Sequence, residues 1–174
     1  PAVSAINETS SGTITTTETW SGTHTVTGDV IVAEGAKLVI NAGTTVNIAA
    51  GVYIEVEGAI CAGSASCGAS QASASSPVRL NWGAPADITV TGRCSDPNNN
   101  LLNNPDAACG SGVMIRNTIN QASTGLSHVK LDKAYGTPVY VASLQVVKYA
   151  ALVFDGSSVN ADNLGFSDIN TTNV

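Results

Sequence analysis

The stretch "GDVIVAEGAKLVINAGTTVNIAAGVYIEVEG", residues 28–58, decides the fold because glycine returns in it every seven or eight residues. The glycines stand at positions 28, 35, 43, 51 and 58, with a short β-rich run between each pair. Three such runs span about 23 residues, from position 28 to 51 and again from 35 to 58, which is the length of one coil of a solenoid. Each coil would hold three short strands, with glycine supplying the tight corners between them.

Side chains within these runs alternate between two faces, a pattern that predicts half-buried strands. One face carries Tyr53, Glu55 and Glu57 and is expected to point outward. The other face is apolar and would line the core with Leu38, Ile40, Val46, Ile48, Val52, Ile54 and Val56.

A path with three corners favours one coil of parallel strands over a sandwich of antiparallel hairpins. Val52 and Ile54 would stack above Val30 and Val32, with a one-residue slip at a corner to keep the apolar face inward. A sandwich would show Asn-Gly or Asp-Gly hairpin dipeptides between its strands. The one dipeptide of that type lies at 155–156, far from this stretch.

Composition limits the function before any site is considered. Of 174 residues, 11% are charged and 5% are aromatic, so the core must be built from small and β-branched side chains. The net charge of −6 and the scattered Lys and Arg residues argue against nucleic acid as a partner. The longest apolar run, residues 138–154, contains Gln145 and Lys148, so no membrane span is expected.

The four cysteines fall in two close pairs, Cys61 with Cys67 and Cys94 with Cys109. Four cysteines permit three pairings, of which the two local ones are the simplest. The alternative is a zinc site, which the lack of a CxxC motif and the distance of both histidines in sequence disfavour. Disulfides indicate an oxidising, extracellular or cell-surface location.

Two inserts tied by these cysteines, residues 61–76 and 94–109, interrupt the glycine period. We expect residues 1–17 to form an extended N-terminal segment or cap, and residues 18–174 to form one β-helical domain. Further strands are predicted at 78–82, 88–91, 113–116, 128–132, 139–141, 152–154 and 164–166.

The run "TWSGTHTVTGDVIVAEGAKLVINAGTTVNIAAGVYIEVEGAICA", residues 19–62, resembles the opening of right-handed parallel β-helix domains in bacterial and archaeal surface proteins. Later segments at 76–82, 112–117, 123–134 and 151–169 are similar as well. The resemblance implies an all-β, right-handed parallel β-helix (solenoid) with two disulfide-closed loops. The matching positions are Trp20, Gly28-Asp29, Gly35 with Leu38 and Ile40, and Ala42-Gly43-Thr44 with Val46.

This fold carries polysaccharide lyases, glycosidases, phage spikes, adhesins and passive stalks, so the resemblance leaves two hypotheses open. The first is an extracellular structural or adhesive protein without enzymatic activity, a filament or surface-layer subunit joined end to end or by strand donation. Its partners would be copies of itself or extracellular polymers. The second is a polysaccharide-binding or polysaccharide-cleaving protein, a lyase or hydrolase.

Glu55 and Glu57 are the candidate carbohydrate contacts, because two outward carboxylates lie two residues apart on one strand. Lys130 and Asp132 repeat this arrangement further along the chain. Acid–base catalysis would require such groups in a cleft with a basic partner. The alternative interpretation is that these outward side chains are solvated and keep the coil soluble, and we assign no catalytic residue.

Asp96 and Asp106, on the second cysteine insert, offer oxygen ligands among several asparagines. They are candidate ion contacts, and calcium is the one cofactor that this chemistry allows, although the spacing is not that of an EF-hand. Asn7 and Asn170 lie in N-x-S/T triplets and are candidate glycosylation sites.

Overall fold

The structure is a computed structural model, and it describes residues 8–83, 112–116, 123–134, 137–141, 146–150, 152–155, 157 and 159–167. Within these ranges the chain is all-β, with sixteen strands and a single 3-10 turn at Ala65–Cys67. The strands are β1 (Glu8–Ile14), β2 (Thr17–Trp20), β3 (Thr23–Val32), β4 (Lys37–Ile40), β5 (Thr45–Ile48), β6 (Tyr53–Val56), β7 (Ala59–Ala62), β8 (Val78–Trp82), β9 (Gly112–Arg116), β10 (Gly125–Ser127), β11 (Val129–Asp132), β12 (Thr137–Val141), β13 (Val146–Ala150), β14 (Leu152–Asp155), β15 (Asn160–Asp162) and β16 (Gly165–Ser167).

Strand pairing is parallel throughout the two large sheets. The nine-stranded sheet has the order β14-β9-β6-β3-β5-β8-β11-β16, with β1 also paired to β3, and the five-stranded sheet has the order β15-β10-β7-β4-β2. β3 is long enough to pair with β5 along its first half and β6 along its second half. The prediction of parallel strands is therefore confirmed. The one antiparallel pair of strands in the described ranges is β12 with β13.

The register corrects the predicted stacking of the opening stretch. Val30 faces Ile54 and Val32 faces Val56, whereas the prediction placed Val52 above Val30. The observed offset is even, which keeps the apolar face inward, so no slip is needed. Val52 instead closes the turn before β6, where its N–H donates to the Ala49 carbonyl over 3.3 Å.

Three of the five glycines of that stretch are corners, as predicted. Positions 35, 43 and 51 have φ of 80°, 72° and 73°, a left-handed backbone that glycine adopts without strain. Gly28, by contrast, continues β3 and makes no corner. Gly58 is required by space, because a Cβ there would lie 2.3 Å from the carbonyl oxygens of both Ala33 and Ala36.

The core lies between the two large sheets and is filled by one cluster of inward side chains. Alternation is clear in β8, where Val78, Leu80 and Trp82 are buried and the two residues between them are not. Burial of a Val, Ile or Leu side chain contributes about 1.5–3 kcal/mol, so the inward side chains of the strands supply much of the stability of the fold. Most of the fully buried residues are aliphatic, among them Val26, Val30, Val32, Leu38, Ile40, Val46, Ile54, Val56 and Ile115.

The first cysteine insert is closed by the predicted Cys61–Cys67 disulfide, with 5.7 Å between the two Cα atoms. Cys61 belongs to β7, so the excursion from the sheet starts after Ala62 rather than at residue 61. Both sulfurs are buried, and the insert returns to the sheet through the Ala72 N–H, which donates to the Gly63 carbonyl. Cys94, Cys109 and the strand predicted at 88–91 lie outside the described residues.

The six other predicted strands are all present, with ends that agree or differ by one or two residues. Within the predicted N-terminal segment 1–17, residues 8–14 form β1, which pairs with β3. The short strands β10 and β15 and the strand β13 were not predicted.

Replacing Gly58 by alanine should lower the free energy of unfolding by about 3 kcal/mol or more, because two backbone carbonyls occupy the space that the new methyl needs. The matched control is Gly35→Ala, where nothing lies within 4 Å and only the left-handed backbone, about 1 kcal/mol, opposes the change. Denaturant unfolding measures both, and equal losses would contradict this account of Gly58.

Candidate functional site

A polar surface covers the outward side of β3, β5, β8, β11 and β16, and we call it the polar face. In β3, β5, β8 and β11 the inward residues are buried, for example Val46 and Leu131. The residues that alternate with them along each strand therefore point outward. Parallel register aligns the outward residues in two columns. One column is Thr23, Thr45, Arg79, Lys130 and Gly165, and the other is Thr25, Asn47, Asn81, Asp132 and Ser167.

Positive charge is concentrated in the first column of the polar face. Arg79 and Lys130 are exposed register partners on neighbouring strands, about 4.8 Å apart along the column. Asp132 lies in the second column, where it accepts a hydrogen bond from the Ser167 hydroxyl at 3.1 Å and lies 3.9 Å from the Lys133 amine. The surface therefore offers cationic donors beside a row of amide, hydroxyl and carboxylate groups.

Glu55 occupies an outward position of β6, yet only 7% of it is exposed. Its carboxylate accepts a hydrogen bond from the Arg116 guanidinium at 3.3 Å, and both side chains of this ion pair are largely buried. Tyr53 and Met114 beside it are buried against each other. The interpretation of the outward positions as solvated is therefore wrong for Tyr53 and Glu55. Tyr53, Glu55 and Met114 are all buried, so the side of β6 and β9 that bears Glu55 is not a free surface.

The other two predicted acidic residues are not part of this ion pair. Glu57 follows β6 and is exposed at a corner, where its N–H donates to the Val32 carbonyl over 2.8 Å. Asp132 lies on β11, in the other half of the nine-stranded sheet. The alternation of Glu55 and Glu57 suggested a pair on one strand, but the strand ends at Val56.

A second polar cluster lies inside the first coil, where sequence reasoning found no site. The Ser10 hydroxyl donates to the Glu18 carboxylate at 2.7 Å, and the Trp20 indole N–H donates to the same oxygen at 2.6 Å. His24 Nε2 is 2.9 Å from the Ser10 hydroxyl oxygen. The imidazole stacks on Trp20 with ring centroids 4.2 Å apart, and His24 is only 1% exposed.

Burial sets the charge state of His24. Desolvation lowers the pKa of the imidazole below its usual value, and the nearby Glu18 and Glu8 carboxylates only partly oppose this shift. With both Ser10 and Trp20 donating to Glu18, the consistent arrangement is a neutral imidazole whose Nε2–H donates to Ser10. The sequence signal for this cluster was the alternation in "THTVT", which places His24 on the same inward face as Val26.

The remaining candidates lie outside the described residues: Asp96, Asp106, Cys94, Cys109, Asn7 and Asn170. Calcium binding and glycosylation therefore stay predictions. In the part of the chain that the structure describes, no group of three or more His, Cys, Asp or Glu residues could hold a metal ion. No helix found there is long and apolar enough to cross a membrane.

Comparison of the chain with protein-family models, curated proteins and solved structures found no match.

Replacing Glu55 by glutamine should lower the free energy of unfolding by about 3 kcal/mol, because a largely buried contact with the Arg116 guanidinium loses its negative charge. The double variant Glu55→Gln/Arg116→Met should lose less than the sum of the single variants Glu55→Gln and Arg116→Met, because the contact between the two side chains can be lost only once. Denaturant unfolding of the two single variants and the double variant gives the coupling energy. Additive losses would contradict the ion pair.

Proposed function

We propose that this protein is an extracellular or cell-surface protein of the right-handed parallel β-helix class, with an adhesive role performed by the polar face. It binds an extracellular polymer that lies across the strands. The observation that carries this proposal is the alignment of Arg79 and Lys130 beside the column of Asn47, Asn81 and Asp132.

Strand pairing supports the solenoid. Partners in the opening coils, such as Thr23 with Thr45 and Val30 with Ile54, are separated in sequence by nearly the same length as the glycine period. Each strand of the five-stranded sheet lies in sequence between strands of the nine-stranded sheet, and one core fills the space between the two sheets. Because crossovers between parallel strands are right-handed in about 98% of cases, we assign a right-handed coil.

The Cys61–Cys67 disulfide supports a location outside the reducing cytosol, since such bonds persist mainly in oxidising compartments. The composition agrees with a surface role, because few charges and many Thr, Asn and Ser side chains make the exterior a hydrogen-bonding surface.

The chemistry of the polar face favours an acidic polysaccharide as the polymer. Arg79 and Lys130 are exposed cations, and neither makes an ion pair with any residue in the described ranges. Amide and hydroxyl groups in the neighbouring column can hydrogen-bond sugar hydroxyls. Trp20 and Trp82 point into the core, so binding would use hydrogen bonds and charge rather than aromatic stacking.

The double variant Arg79→Ala/Lys130→Ala should lose at least about tenfold in affinity for alginate or polygalacturonate, since two charge-assisted contacts are removed. Neutral dextran should bind weakly to both proteins. Affinity electrophoresis in gels containing each polymer measures the difference. The control is Lys133→Asn, which removes one positive charge beside the polar face but not from its column. An equal loss in this control would contradict the role of the column.

Polysaccharide cleavage is a second candidate, favoured by the single contact between Glu55 and Arg116, an acidic group with a basic partner. A lyase or hydrolase would require that buried pair to become accessible to substrate. Release of reducing or unsaturated ends from alginate or polygalacturonate, abolished in Glu55→Gln, would replace the adhesive proposal by this one.

Self-assembly is the other part of the proposed structural role, and β1, a mostly exposed strand paired to β3, supports strand donation. At one end, the inward positions of β1 and β2 carry Ser10 and Glu18 together with the apolar Ile14 and Trp20. At the other, Phe154 and Phe166 align with buried residues of the preceding coil but are 45% and 52% exposed. Along the strand register the Phe154 column ends at Ile14 and the Phe166 column ends at Glu8. Direct stacking would therefore leave the Phe166 ring facing a carboxylate, which is unfavourable.

A further inference from the structure

The last three strands of the described chain form an end of the fold that is both apolar and exposed. β14, β15 and β16 each stand at the end of a sheet, so one edge of each strand has no strand partner within the described residues. Phe154 on β14 and Phe166 on β16 are the large apolar side chains that are exposed in these ranges. This end therefore combines open backbone edges with unburied aromatic rings.

Both rings occupy positions that belong to the core in the neighbouring strands. Phe166 is the register partner of Leu131, and Phe154 is the register partner of Ile115, and both of these partners are buried. Leu152, on the same strand as Phe154, is partly buried against the same core. The rings are thus exposed because the stack of strands ends there, and not because their strands turn them outward.

The opposite end of a second copy is a poor cover for this surface. The Phe166 column ends there at Glu8, and the inward positions of β1 and β2 include Ser10 and Glu18. An aromatic ring placed on a carboxylate desolvates the charge without giving it a partner. The same end of a second copy offers apolar side chains instead.

The heights of the three strand edges select one two-fold arrangement. In the solenoid proposed above, the chain rises by one strand spacing, about 4.8 Å, over each coil of three strands. The edges of β14, β15 and β16 therefore lie at three successive heights. A two-fold axis through β15 brings β15 against its own copy and β14 against β16 of the second copy, each one strand spacing apart. An axis through β14 would make strands collide, and an axis through β16 would leave gaps one strand wide.

We propose that two copies of this chain dock through β14, β15 and β16 and form a closed, two-fold symmetric dimer. This inference rests on the solenoid of the proposed function, but not on the binding of a polymer. Strands related by this axis run antiparallel, a pairing that is slightly more stable than the parallel one. The interface is isologous, so it closes with two copies and does not extend into a filament.

The side chains of the docked strands complement each other. Phe154 and Phe166 lie on the inward sides of β14 and β16, so each ring meets its counterpart on the second copy in a cross-strand aromatic pair. A centre at Ala161 on β15 sets Asn160 opposite Asp162 of the second copy. The amide of Asn160 can donate a hydrogen bond to that carboxylate, and like charges do not face each other directly on this strand.

Size-exclusion chromatography with light scattering tests the dimer on the full-length chain, and we expect twice the mass of one chain. Ala161→Asp should weaken dimerisation at least about tenfold, because two carboxylates would meet at the axis. Ala74→Asp is the matched control, since it makes the same change at the exposed tip of the first insert and should leave dimerisation unaltered. A monomer at about 1 mM, or equal losses in the two variants, would overturn the proposal.

The aromatic pair is tested by Phe154→Ser and Phe166→Ser, each of which should weaken the dimer at least about tenfold. The double variant should lose less than the sum of the two, because the rings contact each other. Denaturant unfolding of the monomeric double variant checks that the fold is retained, as expected for rings exposed in one chain. Dimerisation that is unaltered in Phe166→Ser would overturn the interface.

A new cysteine at the axis tests the position of the interface. Ala161→Cys should form a disulfide with its own copy, because directly opposed residues of antiparallel strands lie within the range of Cα distances that a disulfide spans. A non-reducing gel then shows a covalent dimer. Ala74→Cys is the control and should remain uncrosslinked. A dimeric chain that Ala161→Cys does not crosslink would contradict this arrangement.

These variants also distinguish the dimer from the other proposals. Donation of β1 uses the opposite end of the coils, so oligomers formed in that way would persist in Ala161→Asp. That variant keeps the Arg79–Lys130 column, so it should bind a short alginate oligosaccharide as tightly as the original chain. A dimer that binds no alginate would overturn the adhesive proposal alone, and a monomer that binds alginate would overturn the dimer alone.

Discussion

Parallel backbone pairing in a fixed register is the constraint on which the rest of this structure depends. In a strand the side chains alternate, so the register between neighbouring strands decides which residues share a column. The even offsets between β3, β5 and β6 keep Val26, Val46 and Ile54 inward. The register of β11 with β8 places Arg79 beside Lys130 on the outside. Core and polar face are thus two consequences of one arrangement, and a change of register would damage both.

The fold was predictable from residues that act locally. Glycines at 35, 43 and 51 mark corners because a left-handed backbone favours them, and alternating Val, Ile and Leu mark the strands. The prediction of a corner at Gly28 was wrong because glycine can also continue a strand. β3 extends through this position, since it pairs first with β5 and then with β6. The error in the predicted stacking has the same origin, since turn lengths decide the register and the glycine period does not specify them.

Site geometry was less predictable because it depends on residues far apart in sequence. Arg116 contacts Glu55 although the two residues are 61 positions apart in sequence, and no pattern near Glu55 predicts this contact. Burial of Glu55 and Tyr53 depends on what lies over the sheet rather than on alternation within β6. His24 was visible as an inward position, but its link to Glu18 required knowing that β1 and β2 meet β3. The disulfide was predictable because its two cysteines are close together in sequence.

The insert after β7 shows how freely this architecture accepts additions. Thr45 on β5 pairs with Thr23 on one side and with Arg79 on the other. Arg79 follows the insert, so the extra residues between β7 and β8 do not disturb the parallel pairing of β5 with β8. The extra length sits between Ala62 and Val78, and the exposed tip at Ala74 and Ser75 is closed by the bridge between Ser73 and Ser76. During evolution, residues could therefore be inserted at a corner without changing the register between the strands. For engineering, the same tip is a site at which a foreign peptide could be displayed.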